Sequence, residues 1–247
     1  MSNIEESRLI HISETDSTNK YLQIISEKEP LSSGSIVLAD FQTAGRGQKN
    51  NSWESEAGKN LTFSIFFRPE SVPANMPFII SETASLSVKY TLDNYLDDIS
   101  VKWPNDIYYK DNKIAGILIE NIISESFIDK SIIGIGINVN QTKFVYDAPN
   151  PVSISLVTGK SFDLMKILNE FREIFAQQSE RINNSFSSIH DDYIKSLYRK
   201  EGYHKYSDIN GVFEARIYDI EPTGHLLLER QNGTLSKYAF KEVQFSN

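Results

Sequence analysis

The chain has 247 residues, 40% of them hydrophobic, which is enough for one large domain or for a main domain with a small appendage. It has no cysteine, which excludes disulfides, thiolate metal ligands and cysteine nucleophiles. With 25 Lys+Arg against 33 Asp+Glu, the formal net charge of -8 disfavours general binding to nucleic acid or to anionic membranes. The acidic start does not look like a secretory signal, and no run approaches the roughly 20 apolar residues of a membrane span. We therefore expect a cytoplasmic protein that binds neither DNA nor membranes.

The first part of the chain predicts strands around one helix. A short strand is expected at residues 9–12, and residues 16–19 offer N-cap candidates for a helix that ends near Pro30. Residues 35–41 and 60–67 then read as strands rich in apolar side chains. In isolation, residues 16–19 need be no more than an ordinary helix cap.

The middle of the chain predicts a helix followed by several strands. Between residues 77 and 97, apolar side chains recur every four positions, which is typical of a helix packed on a sheet. Four further strands follow, at residues 99–103, 107–109, 114–121 and 127–140. These strands predict the centre of an antiparallel or mixed sheet.

The last part of the chain predicts two helices and then a small β domain. The helices are expected at residues 162–182 and 188–199. Short strands follow at residues 211–218, 225–229 and 236–240, separated by turn signals. We therefore predict an α+β protein with a main domain at residues 1–200 and a small β-barrel at residues 201–247.

Two polar motifs interrupt this apolar pattern. Gly45, Arg46 and Gly47 place a guanidinium between two glycines, an arrangement that lets backbone amides and one cation converge on an anion. The second motif is Lys-Trp-Pro-Asn-Asp at residues 102–106, followed by Lys-Ile-Ala-Gly-Ile-Leu-Ile-Glu at residues 113–120. Two such constellations in one domain indicate an enzyme with two substrates.

The order and spacing of these motifs resemble the biotin protein ligases. The resemblance rests on residues 16–19, the Gly45-Arg46-Gly47 loop with Trp53, both parts of the second motif, and Gly-Ile-Gly-Ile-Asn at residues 134–138. It covers essentially the whole chain, and Lys-Trp-Pro-Asn-Asp followed by Lys-Ile-Ala-Gly is its most specific part. Without that context, the paired glycines at 134 and 136 would indicate only close packing or a bulge.

The resemblance implies a class II synthetase-like ligase fold with an SH3-like C-terminal barrel. It implies an enzyme that activates biotin with ATP and Mg²⁺ as biotinyl-5'-AMP and then transfers the biotinyl group to a lysine of a biotin carboxyl carrier domain, such as that of acetyl-CoA carboxylase. The carrier is expected to dock by strand addition beside the active-site sheet. The family's optional N-terminal DNA-binding domain is not found in this sequence, which resembles the short form, and the family includes both monomers and homodimers.

The resemblance also implies the site residues. Lys113 and Arg46 would supply the cations that neutralise charge during adenylation. The other biotin contacts it implies are Ser17, Thr18, Asn19, Gln42, Gly45, Gly47, Gln48, Gly116 and Gly134. For the nucleotide, beside Arg46 and Lys113, it implies Trp53 and Asn138 at adenine, and Lys102 and Asn105 at the phosphates and magnesium.

The glycine-arginine loop departs from the family pattern. The family commonly has Gly-Arg-Gly-Arg-Arg-Gly-Arg before the tryptophan, whereas this chain has Gln48, Lys49, Asn50 and Asn51 after Gly47. Gln48 carries no charge, and asparagine at position 50 is a residue that tolerates a left-handed backbone in place of glycine. We therefore hypothesise that this chain retains its adenylate less tightly.

Two other functions compete with this interpretation. A lipoate ligase or octanoyltransferase resembles the same fold, but that family lacks the Lys-Trp-Pro-Asn-Asp motif. A non-catalytic biotin sensor or regulator is disfavoured by the acidic composition. The four histidines have no acidic partners at metal-ligand spacing, and Trp103 is expected in the core, so we assign none of them a chemical role.

Overall fold

A computed structural model describes residues 7–48, 51–145 and 150–246. The strands are β1 (Leu9–Thr15), β2 (Ile36–Gln42), β3 (Leu61–Phe67), β4 (Ile99–Lys102), β5 (Asp106–Tyr109), β6 (Asn112–Ser124), β7 (Phe127–Ile137), β8 (His204–Asp208), β9 (Gly211–Ile220), β10 (Leu226–Glu229), β11 (Leu235–Tyr238) and β12 (Gln244–Phe245). The helices are α1 (Thr18–Lys28), α2 (Phe78–Leu92), α3 (Ile154–Thr158), α4 (Leu164–Asn184) and α5 (Phe186–Lys195).

The centre of the molecule is a mixed seven-stranded sheet in the order β1-β2-β3-β7-β6-β5-β4. Strands β1 and β2 pair in parallel, because helix α1 carries the chain back between them. The other neighbours in this sheet pair antiparallel. A second, five-stranded antiparallel sheet has the order β11-β10-β9-β8-β12. The α+β class and the mixed central sheet are therefore confirmed.

The two faces of the central sheet are covered differently. Alternating strand residues such as Phe63 and Ile133 belong to the main core, which includes buried side chains of α2 and α4. The intervening residues Phe66 and Ile132 belong to a smaller cluster with Leu22 of α1. Because α1 packs mainly against β2, β3 and β7, the β6 part of this second face is left for the candidate site described below.

Polar contacts join the second sheet to the central domain. His190 of α5 lies between two carboxylates, with Nδ1 2.8 Å from Glu82 Oε1 of α2 and Nε2 2.8 Å from Asp219 Oδ1 of β9. Hydrogen bonding to Glu82 raises the pKa of His190 to about 9. The predicted core position of Trp103 is confirmed, and its Nε1 donates to the Gly224 carbonyl at 3.0 Å. The core and the turn after β9 are thus tied to each other.

Some elements differ from the sequence predictions. Helix α3 and strands β8 and β12 were not predicted. Helix α3 has only 5 residues and β12 only 2, and in β8 only Tyr206 is fully buried, so none of the three shows a clear hydrophobic period. Helix α2 ends at Leu92, and Asp98 beyond it has a positive φ. None of the described helices combines the length and apolar character needed to cross a lipid bilayer.

Candidate active site

A cavity of about 1160 Å³ opens on the second face of the central sheet. The side chains or backbone that line it come from the start of α1, the glycine-arginine loop, strands β3 to β7 and the last strand of the second sheet. Of the residues expected from the sequence, only Gly45 is absent from its described lining; the lining includes Ser17, Thr18, Asn19, Gln42, Arg46, Gly47, Gln48, Trp53, Lys102, Asn105, Lys113, Gly116, Gly134 and Asn138. The two motifs are therefore brought to one cavity.

The floor of the cavity consists of two lateral rows across β3, β7 and β6. One row is Ser64, Gly134 and Leu118, and the other is Thr62, Gly136 and Gly116. Each row keeps a side chain from elsewhere close to the sheet: a Cβ on Gly134 would lie 2.3 Å from Asn19 Oδ1, and one on Gly136 would lie 2.3 Å from Trp53 Cε2. Neither position has room for a larger residue.

The first row ends in a buried polar cluster at the start of α1. The Thr18 backbone N–H donates to Gln42 Oε1 at 2.8 Å, and the Thr18 hydroxyl lies 3.0 Å from the same oxygen. The Ser64 hydroxyl lies 2.7 Å from Thr18 Oγ1 and 2.6 Å from Asn19 Oδ1. Ser17 is the N-cap of α1, its side chain makes no capping bond among the described residues, and the residue lines the cavity.

The second row carries Trp53 and lies beside Asn138. The Trp53 ring rests on Gly136, and its Nε1 is buried without a partner among residues 7–48, 51–145 and 150–246. Asn138 donates from Nδ2 to the Val152 carbonyl at 3.1 Å, which leaves its buried Oδ1 unpartnered within the described chain. This half of the cavity thus combines an aromatic face with a free acceptor.

Two lysines lie near the second row. Lys113 Nζ is 2.6 Å from Asp106 Oδ1, and it lies 3.4 Å from where a Cβ on Gly116 would be. Lys102 Nζ donates to the Tyr108 hydroxyl at 2.9 Å and lies 5.3 Å from the ring centroid of Phe245 in β12. Burial lowers the pKa of Lys102. The second sheet therefore closes the cavity beside Lys102.

The two described ends of the glycine-arginine loop pair with each other. Arg46 bridges to Ser52, and Trp53 N–H donates to the Gly45 carbonyl at 2.9 Å. Arg46 Nη2 lies 3.5 Å from Glu120 Oε2 of β6. Gln48 lines the cavity with a buried Oε1 that has no hydrogen-bond partner among the described residues, while the predictions for Lys49 and Asn50 concern residues outside the described ranges.

Asn105 lies at the cavity wall, but its side chain is engaged by the sheet. Its Nδ2 donates to the Ile117 carbonyl at 2.7 Å, and the Ile117 N–H donates to the Asn105 carbonyl at 2.9 Å. In the described part of the chain, no group of three or more His, Asp or Glu side chains is arranged to hold a metal ion. The expected role of Asn105 at phosphate and magnesium stays a prediction.

Sequence reasoning missed four residues of this site. Ser64, Asp106, Glu120 and Gly136 all face or line the cavity or bond to side chains that do. A signal existed for Ser64 and Glu120, since each is polar within an apolar strand pattern. Asp106, Glu120 and Gly136 lay within motifs already singled out, but the strand register is needed to show which side chain each of them faces.

Comparison with known proteins agrees with this geometry. The profile of the biotin/lipoate A/B protein ligase family matches residues 12–138, just over half of the chain. A bifunctional ligase/repressor BirA from Bacillus spizizenii is 29% identical over 216 residues, which cover 83% of this chain and 65% of that protein. The chain thus spans less than two thirds of the length of this relative.

Two other relatives match over nearly their whole length. A biotin--[acetyl-CoA-carboxylase] ligase from Paracoccus denitrificans is 27% identical over 240 residues, 90% of this chain and 94% of that protein. A biotin protein ligase from Aquifex aeolicus, solved in complex with biotin and ATP, superposes with a TM-score of 0.78 at 26% identity, covering 97% of this chain and 99% of the other. With its profile match, its fold and its two-row cavity, the chain belongs to the biotin/lipoate A/B protein ligase family.

Proposed function

We propose that this protein is a biotin protein ligase. It joins the carboxylate of biotin to the α-phosphate of ATP and then passes the biotinyl group to a lysine of a biotin carboxyl carrier domain. Family membership alone leaves the acid open, since the family also includes lipoate ligases. The choice of acid therefore has to come from the first row of the cavity.

The observation that carries the proposal is a shortage of protons in that row. Three oxygen-to-oxygen contacts join Gln42 to Thr18, Thr18 to Ser64 and Ser64 to Asn19. Only the two hydroxyls can supply protons, because the amides of Gln42 and Asn19 both point their oxygen into the row. With three contacts and two protons, one contact has no hydrogen bond.

A ligand that brings N–H donors is complementary to this row, because the row offers more acceptors than donors. The ureido ring of biotin has two N–H groups and one carbonyl, so it can donate to the amide oxygens and accept from a hydroxyl. The dithiolane ring of lipoate and the alkyl end of octanoate have no such donors, so they cannot use the remaining lone pairs of the Gln42 and Asn19 amide oxygens. Sites built to bond a polar ligand strongly reject analogues without the matching group.

The second row suits the adenine of ATP. Trp53 offers an aromatic face for stacking, and the free Asn138 Oδ1 can accept from the exocyclic amine of adenine. Magnesium would enter on the phosphates of ATP, as part of the nucleotide substrate. Lys102 at the edge of the cavity can attract those phosphates.

The reaction would take place between the two rows. An oxygen of the biotin carboxylate attacks the α-phosphorus, the bond to the bridging oxygen breaks, and pyrophosphate leaves. Lys113, held by Asp106 at 2.6 Å, can neutralise the charge that grows on the phosphoryl oxygens, and Arg46 can approach from the loop. In the second step a neutral lysine amine attacks the acyl carbonyl, and AMP leaves as the amide forms and the amine loses its proton.

Several further assignments belong to this proposal. Residues 1–200 form the catalytic domain and residues 201–247 the small β domain, which closes the cavity at Lys102 and Phe245. The protein acts in the cytoplasm, where ATP and carrier domains are available. Its partner is a biotin carboxyl carrier domain.

The test is pyrophosphate release from MgATP by the purified protein with biotin, lipoate or octanoate in separate reactions. A carrier domain is then added, and its intact mass is measured. We expect release with biotin alone and one added biotinyl group on the carrier. Release with lipoate or octanoate but not biotin would refute the choice of acid, and biotin binding without release would indicate a sensor.

A further inference from the structure

Glu120 lies beside the first row, on the side away from the second row, and contacts two parts of the site. Its Oε2 accepts from Asn19 Nδ2 at 2.7 Å and lies 3.5 Å from Arg46 Nη2. It stands on β6, two positions beyond Leu118, so it shares the cavity face of the sheet. It is a carboxylate in a strand pattern that is otherwise mainly apolar up to that point.

The contact with Asn19 decides which atom of that amide faces the pocket. An asparagine amide can present either its oxygen or its nitrogen, and neighbouring groups choose between the two. Asn19 Nδ2 faces two groups that can only accept, the Glu120 carboxylate at 2.7 Å and the Leu118 carbonyl at 3.3 Å. The charged contact is the shorter and stronger of the two. Oδ1 therefore points towards Ser64 and Gly134.

We infer that Glu120 is a positioning residue for acid specificity: it holds Asn19 so that an amide oxygen, and not an amide nitrogen, meets the ligand. The inference rests on the proposed function, because it names the feature that makes the row complementary to the N–H groups of a ureido ring. With Asn19 reversed, Nδ2 would oppose an N–H donor of the ligand, and two donors would face each other.

The contact with Arg46 is expected to contribute little. The Arg46 and Glu120 side chains are 47% and 38% exposed, and an ion pair at 3.5 Å in such a setting is weak. Loss of the Glu120 charge should therefore act on biotin affinity far more than on the rate of adenylation. This split between binding and rate separates the positioning of Asn19 from a role in holding the loop.

The experiment uses Glu120→Gln, which keeps the shape of the side chain but replaces an acceptor-only group with one that can also donate. The matched control is Asp129→Asn, which removes one negative charge from the same hairpin, where Asp129 lies 3.8 Å from Arg68. Calorimetry measures the Kd of biotin and of its two analogues in which one ring N–H is replaced by oxygen. Single-turnover adenylation at saturating biotin and the thermal midpoint are measured for each protein.

We expect the Kd of biotin to rise about 10-fold in Glu120→Gln, because the charge-assisted hydrogen bond that fixes the orientation of the Asn19 amide is lost. The adenylation rate should change by less than about 3-fold. The preference for biotin over one of the two oxygen analogues should fall by the same factor of about 10, while Asp129→Asn matches the unsubstituted protein. A uniform loss of affinity for all three ligands, or no loss, overturns the inference. Failure of the unsubstituted protein to bind biotin overturns the proposed function itself.

Discussion

The two glycines of β7 allow the acid and nucleotide halves of the site to be perturbed separately. Gly134 and Gly136 face the same way and lie about 7 Å apart along the strand. A methyl group at position 134 would lie 2.3 Å from Asn19 Oδ1, and one at position 136 would lie 2.3 Å from Trp53 Cε2. Carbon contacts settle near 3.5 Å, so each neighbour must retreat by roughly 1 Å or more.

The size of each effect follows from what the displaced side chain loses. In Gly134→Ala, Asn19 would lose its short bonds to Ser64 and Glu120, and the biotin Kd should rise about 10- to 100-fold, equivalent to roughly 1.4 to 2.8 kcal/mol. In Gly136→Ala, the new methyl group would push the Trp53 ring away from the sheet. The ATP Kd should then rise about 10-fold, the worth of one aromatic stack.

Calorimetry with biotin alone, and with ATP in the presence of a non-reactive biotin analogue, measures the two affinities. Ile133→Val serves as the control, because Ile133 is on the same strand but on the face that packs into the main core. Gly134→Ala should raise the Kd of biotin by a factor roughly 5 times larger than its effect on the Kd of ATP, and Gly136→Ala should do the reverse. Equal loss of both ligands in both variants would refute the assignment of one ligand to each row.

Three other measurements test the chemistry and the fold. Lys113→Ala should lower the single-turnover adenylation rate by on the order of 100-fold and raise the biotin Kd much less; equal losses would contradict a role in the transition state. Gln48→Arg should slow adenylate release, measured by the dissociation rate of labelled adenylate, and unchanged rates would remove that hypothesis. Because hydrogen bonding to Glu82 raises the pKa of His190 from 6.5 to about 9, its stabilising contribution is complete below pH 6.5 and is lost as pH rises through about 9. Thermal midpoints should therefore fall more steeply between those values in the unsubstituted protein than in His190→Gln, and parallel curves would exclude this linkage.

Much of the fold could be predicted from the sequence, because the hydrophobic residues of most helices and strands recur with a clear period. The buried face of α2 and the apolar runs of β3 and β7 follow patterns that local physics sets. Strand β8 was missed because only Tyr206 is fully buried in it, which gives no period, and because the strand is defined by its pairing with β9 and β12. An element of this kind cannot be found without the partner strands.

The candidate site was predictable to the extent that its residues lie in contiguous motifs. Arg46 and Lys113 stand in such motifs, and both line the cavity. Ser64 and Glu120 were visible as polar residues in apolar strands, but their roles depend on lateral register: Ser64 lies opposite Gly134, and Glu120 meets Asn19 across 101 positions of the chain. Register is a property of the assembled sheet, and one residue of slip would turn both side chains to the other face.

The two-row floor also explains why one lysine is expected in both ligand sets. If the acid lies over the Ser64-Gly134-Leu118 row and the nucleotide over the Thr62-Gly136-Gly116 row, the carboxylate and the α-phosphate must meet at the boundary between the rows. Lys113 lies beside Gly116, and Asp106 from the neighbouring strand fixes its ammonium at 2.6 Å. A cation held beside the second row by β5 and β6 needs little rearrangement when charge develops on an α-phosphate bound there. Arg46 is 47% exposed and lies 3.5 Å from Glu120, so it is held less tightly than Lys113, and the two cations have different tasks in the proposed reaction.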